Sequence, residues 1–365
     1  MLKLFEVTGF KNFEEKITMD FTDVRDYRFN PECISHGLVS KAIIYGKNAI
    51  GKSNFGLALF DIVSHLSDKH VGPSLYDYYL NVNNKNGYAS FRYVFDFDGN
   101  EVEYSYRKDF KHKLIYDSVK INDKLLYDFD YVSKEGDKSG INELAPTLNW
   151  AFSETECILK YVINNTVIDD SHPLRKMMCF VNNMLWFRSL DENRYIGYKT
   201  KSDDYFDFVF EEPVLKEFAA LLNASGIDDG LKVIVDNDGR KRLYFDTETP
   251  LPFFPVASNG TKALYSFFYW YKTAKDVSFM FVDEFDAFYH FELAESIVSI
   301  LEKMSDTQVI LTSHNTNLLT NRIMRPDCYF IMTKNKLTSL ANATDRELRE
   351  GHNLEKLYMS GEFNG

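Results

Sequence analysis

Apolar and polar positions change period several times along the chain, and each change marks an element. Leu2, Leu4 and Phe5 begin a strand, and Ile17 to Phe21 reads as its hairpin partner. Lys41-Ala-Ile-Ile-Tyr45 is a short apolar run of the kind a buried strand needs. It stops at Gly46, and after Ser53 the residues Phe55, Leu59, Ile62, Val63 and Leu66 recur at three- and four-residue spacing, the face of a helix. From Ala89 the period is two. Phe91-Tyr93-Phe95-Phe97 alternates, Asp98-Gly99-Asn100 turns, and Val102-Tyr104-Tyr106 alternates back, which predicts a hairpin inside an antiparallel meander reaching Leu125.

Residues 140–230 read as mixed and largely helical, with a polar turn at Asp169 to Pro173. Val233–Val235 and Leu243–Phe245 flank Asp236-Asn-Asp-Gly239, a second hairpin signal. The last third returns to alternating strands and helices. Gly260 to Ala274 is a helix, Phe279–Val282 a buried strand, Phe291 to Met304 an amphipathic helix, and Val309–Leu311 and Tyr329–Met332 further strands. Short apolar strands alternating with helices predict a mostly parallel sheet.

Composition adds boundaries. The chain has 365 residues, 45% apolar and 26% charged, which excludes a mainly disordered chain. Its net charge of −12 argues against indiscriminate binding to phosphate backbones. The cysteines Cys33, Cys157, Cys179 and Cys328 form no C-x-x-C pair, so they read as reduced thiols and not as a zinc site or a disulfide framework. Early charges (Lys3, Glu6, Lys11) and the lack of an apolar leader or a long apolar run point to a cytoplasmic protein without a membrane span.

The chemistry concentrates in four places. Gly46-Lys47-Asn48-Ala49-Ile50-Gly51-Lys52-Ser53 fits G-x-x-x-x-G-K-[ST], a pattern expected by chance in about one chain in a hundred. In such a loop glycines let backbone N–H groups face phosphates, Lys52 supplies charge for the β- and γ-phosphates, Ser53 offers a hydroxyl to Mg²⁺, and the following helix presents its positive end. Asp283-Glu284 ends an apolar strand, where one carboxylate can hold Mg²⁺ and the next can orient and deprotonate water. Asp286 reads equally as a helix N-cap. Thr312-Ser313-His314 ends the next strand, where the imidazole could reach a γ-phosphate. Ser258-Asn259-Gly260-Thr261 opens a helix, as an anion-binding nest or as an ordinary N-cap by Ser258.

Together, Gly46–Ser53, Ser258–Thr261, Phe279–Glu284 and Ser313-His314 resemble ATP-binding-cassette ATPase heads, and more narrowly the RecF/SMC/OLD-like branch. Phe5-Glu-Val-Thr-Gly-Phe-Lys-Asn-Phe13 resembles the first strand and turn of that branch. The P-loop through Asn54 is close to its usual form, with Ala49 where a Gly often stands. Leu348 to Tyr358 resembles the tail of abortive-infection and restriction-linked ATPases of the AbiL/RloA kind. The resemblance implies an α/β P-loop NTPase with an ABC-ATPase-like, mostly parallel core sheet, an antiparallel β lobe and a mixed, largely helical insertion. It makes Gly46, Lys47, Asn48, Gly51, Lys52, Ser53 and Asn54, with Lys11 and Asn12 of the first turn, the nucleotide-binding residues. Ser258, Gly260 and Thr261 become the signature loop, Ser53 and Asp283 the Mg²⁺ ligands, Glu284 the catalytic base, Asp286 part of the D-loop and His314 the switch histidine.

The implied activity is Mg²⁺-dependent ATP hydrolysis by a nucleotide-dependent dimeric switch, regulatory subunit of an antiphage defence system with a separate effector such as a nuclease. A RecF-like DNA-repair ATPase and a nucleotide-gated scaffold with little turnover are the alternatives; a nucleic-acid partner is not indicated by the net charge. Residues 1–132 are expected to form an N-terminal ATPase lobe, 133–250 an insertion or lid, and 251–365 a C-terminal ATPase lobe. Two departures stand out. The signature carries Asn259 and Thr261 where transporters have Gly and Gln, and Gln308, the one glutamine in the chain, lies too late to be a Q-loop residue. The chain also lacks a long coiled coil and a second, Toprim-like acidic cluster.

Overall fold

In a computed structural model the described residues are 1–67, 69, 73–149, 157–188, 194–197, 205–273, 275–287 and 291–363. Two large sheets organise them. The first is antiparallel, with six strands in the order Ile17–Asp20, Leu2–Thr8, Tyr88–Phe97, Asn100–Asp109, Leu114–Ile121 and Lys124–Asp130. Its period-two text explains it: Phe91, Tyr93, Phe95, Val102, Tyr104 and Tyr106 all point into the core. The turn at Asp98-Gly99 has both residues at positive φ, 56° and 80°, as a tight hairpin requires.

The second sheet has seven strands in the order Arg194–Gly197, Met184–Arg188, Phe279–Asp283, Gln308–Ser313, Lys41–Tyr45, Tyr329–Met332 and Leu337–Ser339. The inner five are parallel and the two outermost run antiparallel to their neighbours. Buried on both faces, the central strands carry continuous apolar runs. The described residues of 140–230 are mixed and largely helical as expected, and Met184–Arg188 is one of their strands: it lies within the stretch expected to be an insertion, yet it pairs directly with Phe279–Asp283.

The helix that follows the glycine loop, Lys52–Leu59, lies between the two sheets. Phe55 meets Phe5 of the antiparallel sheet at 5.5 Å between centroids. On the other side, a Cβ at Gly56 would sit 2.6 Å from the ring of Phe281, so only glycine permits this approach to the parallel sheet. The helix breaks at Phe60 instead of running on to Leu66, and a second helix, Asp61–Leu66, begins there. Asp61 is fully buried and accepts hydrogen bonds from Lys108 Nζ at 2.5 Å, Tyr106 OH at 2.9 Å and Tyr79 OH at 2.9 Å. Gln308 joins the two sheets: its side chain accepts from Leu2 N–H at 2.7 Å and donates to Leu2 O at 2.9 Å.

A smaller aromatic lobe is built on Glu212–Ala224, the hairpin Leu231–Val235 with Lys241–Phe245, and the helix Asn259–Thr273. Phe218, Phe253, Tyr265 and Phe268 fill it at centroid distances of 5.2 to 5.8 Å. The expected helix end at Ala274 lies outside the described residues.

Candidate functional site

Strand register alone gathers the chemistry. Leu311 pairs with both Val282 and Ile43, and Ser313 pairs with Tyr45. Asp283-Glu284, Thr312-Ser313-His314 and Gly46 therefore emerge together at the carboxyl ends of three adjacent parallel strands, the edge where open α/β sheets hold ligands.

The glycine loop is shaped from within and braced from outside. Gly46 has no room for a Cβ, which would fall 2.9 Å from Met332 O. Ala49 adopts φ 59°, a left-handed conformation that an L-residue tolerates poorly and that accounts for the glycine often found there. Gly51 caps the helix at φ 113°, and a Cβ on it would fall 2.2 Å from Asn12 Nδ2. That amide donates to Ile50 O at 2.8 Å, while Asn54 Nδ2 donates to Asn12 Oδ1 at 2.8 Å. Lys47, Asn48 and Ser53 face solvent.

Lys52 is buried and donates to Gly46 O at 3.1 Å and to His314 Nε2 at 2.7 Å. An ammonium has no lone pair, so the imidazole nitrogen is the acceptor in this contact. Glu284 Oε1 stands 3.5 Å from the same Nε2. Burial pulls the Lys52 ammonium below its usual range, against the opposing pull of the Glu284, Asp283 and Asp286 carboxylates. Asp283 is buried and accepts from Thr312 Oγ1 at 2.8 Å. Asp286 accepts from Ser313 Oγ at 2.7 Å, and burial raises its carboxyl above the usual range. It thus ties the turn after Asp283 to the His314 strand, a use neither the cap nor the D-loop reading specified.

Other expected residues lie apart from this cluster. Lys11 donates to Asp77 O at 2.7 Å, whereas Asn12 of the same turn hydrogen-bonds the loop at Ile50 O. Ser258 Oγ accepts from Thr261 N–H at 3.1 Å and lies 2.8 Å from Thr261 Oγ1. Within the chain it is a helix cap, and Gly260 belongs to that first turn; no hydrogen bond joins this turn to Gly46–Ser53 among the described residues. Arg188, which sequence reasoning missed, pairs in register with Asp283 and lies 5.4 Å over the ring of Trp186. Its one available signal was the aromatic-rich run Met184–Arg188.

Among the described residues no cluster of three or more His, Cys, Asp or Glu side chains is suited to a metal ion. The Ser53 hydroxyl and the Asp283 carboxylate are hard oxygen donors of the type Mg²⁺ takes when phosphate oxygens and water complete its shell. Asp283 Oδ1 is engaged by Thr312, and neither Ser53 Oγ nor Asp283 Oδ2 has an internal hydrogen-bond partner among the described residues. These residues fit such an ion.

A parallel sheet with this glycine loop between its strand and an enclosed helix is a P-loop NTPase fold. Residues 41–320 match the family model described as "AAA domain, putative AbiEii toxin, Type IV TA system", and the chain belongs to that family of AAA ATPases. The resemblance to abortive-infection-linked ATPases is borne out by this match. No curated protein matches the chain. Among solved structures it is similar to an SMC head bound to the C-winged helix domain of ScpA, at 16% identity and a TM-score of 0.49, covering 93% of this chain and 97% of that one. It is also similar to the SMC head domain from Thermotoga maritima, at 14% identity and a TM-score of 0.46, covering 93% and 98%. An SMC head domain with an extended coiled coil bound to the C-terminal domain of ScpA derived from Pyrococcus furiosus gives 14% and 0.49, covering 93% and 96%. No helix among the described residues is long and apolar enough to cross a membrane.

Proposed function

We propose that the chain is a Mg²⁺-dependent ATPase that works as a nucleotide-gated homodimeric switch, regulating a separate effector in an abortive-infection type of defence. The observation that carries the reading is the contact of Lys52 with Gly46 O and His314 Nε2, 3.1 and 2.7 Å away, beside Glu284. Neither partner is an anion, whereas a γ-phosphate would offer the ammonium a full opposite charge together with the hydrogen bond. Such an exchange would free the imidazole to face the same phosphate. Gly46, Lys47, Asn48, Gly51, Ser53 and Asn54 would cradle the phosphates, and Ser53 with Asp283 would hold Mg²⁺. Glu284 would take the proton of the attacking water. The family description, with its toxin and type IV toxin–antitoxin terms, supports the defence setting.

Ser258, Gly260 and Thr261 would complete the site of a second copy, because their hydrogen bonds within this chain are local. Two nucleotides would then be shared between two protomers related by a two-fold axis. Phosphate release and light scattering with Mg-ATP test this on three variants. Lys52→Ala is expected to lose ATP binding. Glu284→Gln keeps the shape and removes the base, so the ATP-bound dimer accumulates. Ser258→Arg retains binding by the monomer but loses closure and hydrolysis. Full hydrolysis by the Ser258→Arg protein would remove the case for a composite site, and unchanged ATP affinity in Lys52→Ala would remove the nucleotide assignment.

A further inference from the structure

Thr312 is fully buried, two residues before His314 at the end of its strand. A hydroxyl has one proton to give and two lone pairs to share. Thr312 Oγ1 gives its proton to Asp283 Oδ1 at 2.8 Å and accepts the N–H of Glu284 at 2.7 Å. The directions are fixed, because an amide can only donate and the one hydroxyl proton is then left for the carboxylate. The Thr312 carbonyl accepts the next amide, Phe285 N–H, at 3.2 Å. Glu284 itself has φ 48°, a left-handed conformation that a glutamate holds only when its surroundings impose it. The turn closes with Ala287 N–H donating to Glu284 O at 3.0 Å. The β-branched side chain of Thr312, stiff at χ1 in its strand, holds the hydroxyl aimed at both neighbours.

We propose that Thr312 is a positioning residue that sets the Asp283 carboxylate and the Glu284 peptide as one unit. One hydroxyl occupies Oδ1 of Asp283, leaving Oδ2 for a cation, and the same oxygen pins the strained peptide from which the Glu284 side chain departs. The metal ligand and the base therefore cannot shift independently. This inference rests on the ATPase reading for its chemistry, but not for its geometry.

The test uses the full chain with Thr312→Val, which keeps the shape and removes the hydroxyl, and Thr312→Ser, which restores it. Three quantities are read: hydrogen exchange of the Glu284–Phe285 amides in the protein alone, Mn²⁺ affinity in the presence of ADP, and kcat and KM for phosphate release from ATP. Losing a hydrogen bond to a charged group predicts a tenfold to hundredfold effect, to order of magnitude. For Thr312→Val the expected result is faster exchange at Glu284, Mn²⁺ affinity down about tenfold, and kcat down roughly tenfold to a hundredfold with KM for ATP within about twofold. Thr312→Ser is expected to recover Glu284 protection and most of the Mn²⁺ affinity. Native protection and Mn²⁺ affinity in the valine variant, or a serine variant as impaired as valine, would overturn the proposal. If the valine variant does not fold, Thr312→Ala removes the same hydroxyl without crowding and is read in its place. A native protein that releases no phosphate would count against the ATPase reading, while the exchange and Mn²⁺ measurements would still decide the role of Thr312.

Discussion

Replacing Lys108 by Met tests how the second helix, Asp61–Leu66, is fastened to the antiparallel sheet. Lys108 and Asp61 form an ion pair at 2.5 Å with side chains 3% and 0% exposed. Methionine has similar bulk, so packing is nearly kept while the charge and the bond to Ser64 Oγ at 2.9 Å are lost. Asp61 then remains buried with the Tyr79 and Tyr106 hydroxyls as its side-chain donors. Breaking a buried pair on one side costs about 3–5 kcal/mol, because the remaining charge is uncompensated. For a chain of this length that corresponds to a fall in Tm of about 4–7 °C. The double variant Asp61→Asn with Lys108→Met removes the stranded charge, yet its amide still offers an oxygen to a phenol. It is expected to recover at least about half of the loss. Urea and thermal melts followed by circular dichroism measure both variants. A Lys108→Met protein melting within about 1 °C of native, or a double variant no more stable than the single, would refute the assignment of the cost to an orphaned charge.

Glu302 gives a pH prediction. Burial pushes its carboxyl up to about 7, and its Oε1 is buried without a hydrogen-bond partner among the described residues. A raised carboxyl pKa favours the protonated fold, so this stabilisation is complete below the unfolded value of 4.5 and is lost as pH rises through about 7. Allowing for partial exposure, the effect is worth roughly 1–2 kcal/mol. Melting temperatures of native and Glu302→Gln proteins should therefore diverge in favour of the variant between pH 4.5 and 7.5; a constant gap would contradict the argument. Gly51→Ala should displace Asn12 and its bond to Ile50 O, since the new Cβ would fall 2.2 Å from Asn12 Nδ2. A fluorescent ATP analogue should bind it at least about tenfold more weakly, with the melting temperature changed by only about 1–2 °C. Native affinity would show that the loop tolerates a right-handed residue there.

Much of the architecture was legible because each signal was local. Lys41–Tyr45, Phe279–Val282 and Val309–Leu311 are uninterrupted apolar runs, and the Phe91–Tyr106 hairpin alternates around an Asp-Gly turn. The glycine loop likewise carries its geometry in its own residues. What could not be read depends on residues far apart in sequence. Met184–Phe187 is a four-residue apolar run in helical surroundings, and periodicity cannot assign so short a run. The helix break at Phe60 carries no Gly or Pro signal; it coincides with the burial of Asp61 against Lys108, 47 positions away. The hydroxyl of Thr312 serves residues 28 and 29 positions earlier, and no spacing within its own segment announces that. Lys11 and Asn12 are neighbours in one turn, but Asn12 hydrogen-bonds the loop while Lys11 bonds Asp77 O.

The pairing of Lys41–Tyr45 also sets a schedule for synthesis. Both flanking partners, Gln308–Ser313 and Tyr329–Met332, come late in the chain, and the Lys41 ammonium donates at 2.8 Å to Thr307 O, 266 residues away. A ribosome adding about 5–20 residues each second needs roughly 13–53 s to cover that interval. Throughout it, Ala42-Ile-Ile44 has emerged without the strands that will cover its edges. The antiparallel meander, whose neighbours follow one another directly, can form meanwhile and offer its aromatic face to the loop-bearing helix. Translation speed between these points, and the holdase capacity of the host cell, are therefore expected to govern soluble yield more strongly than the final stability of the folded chain.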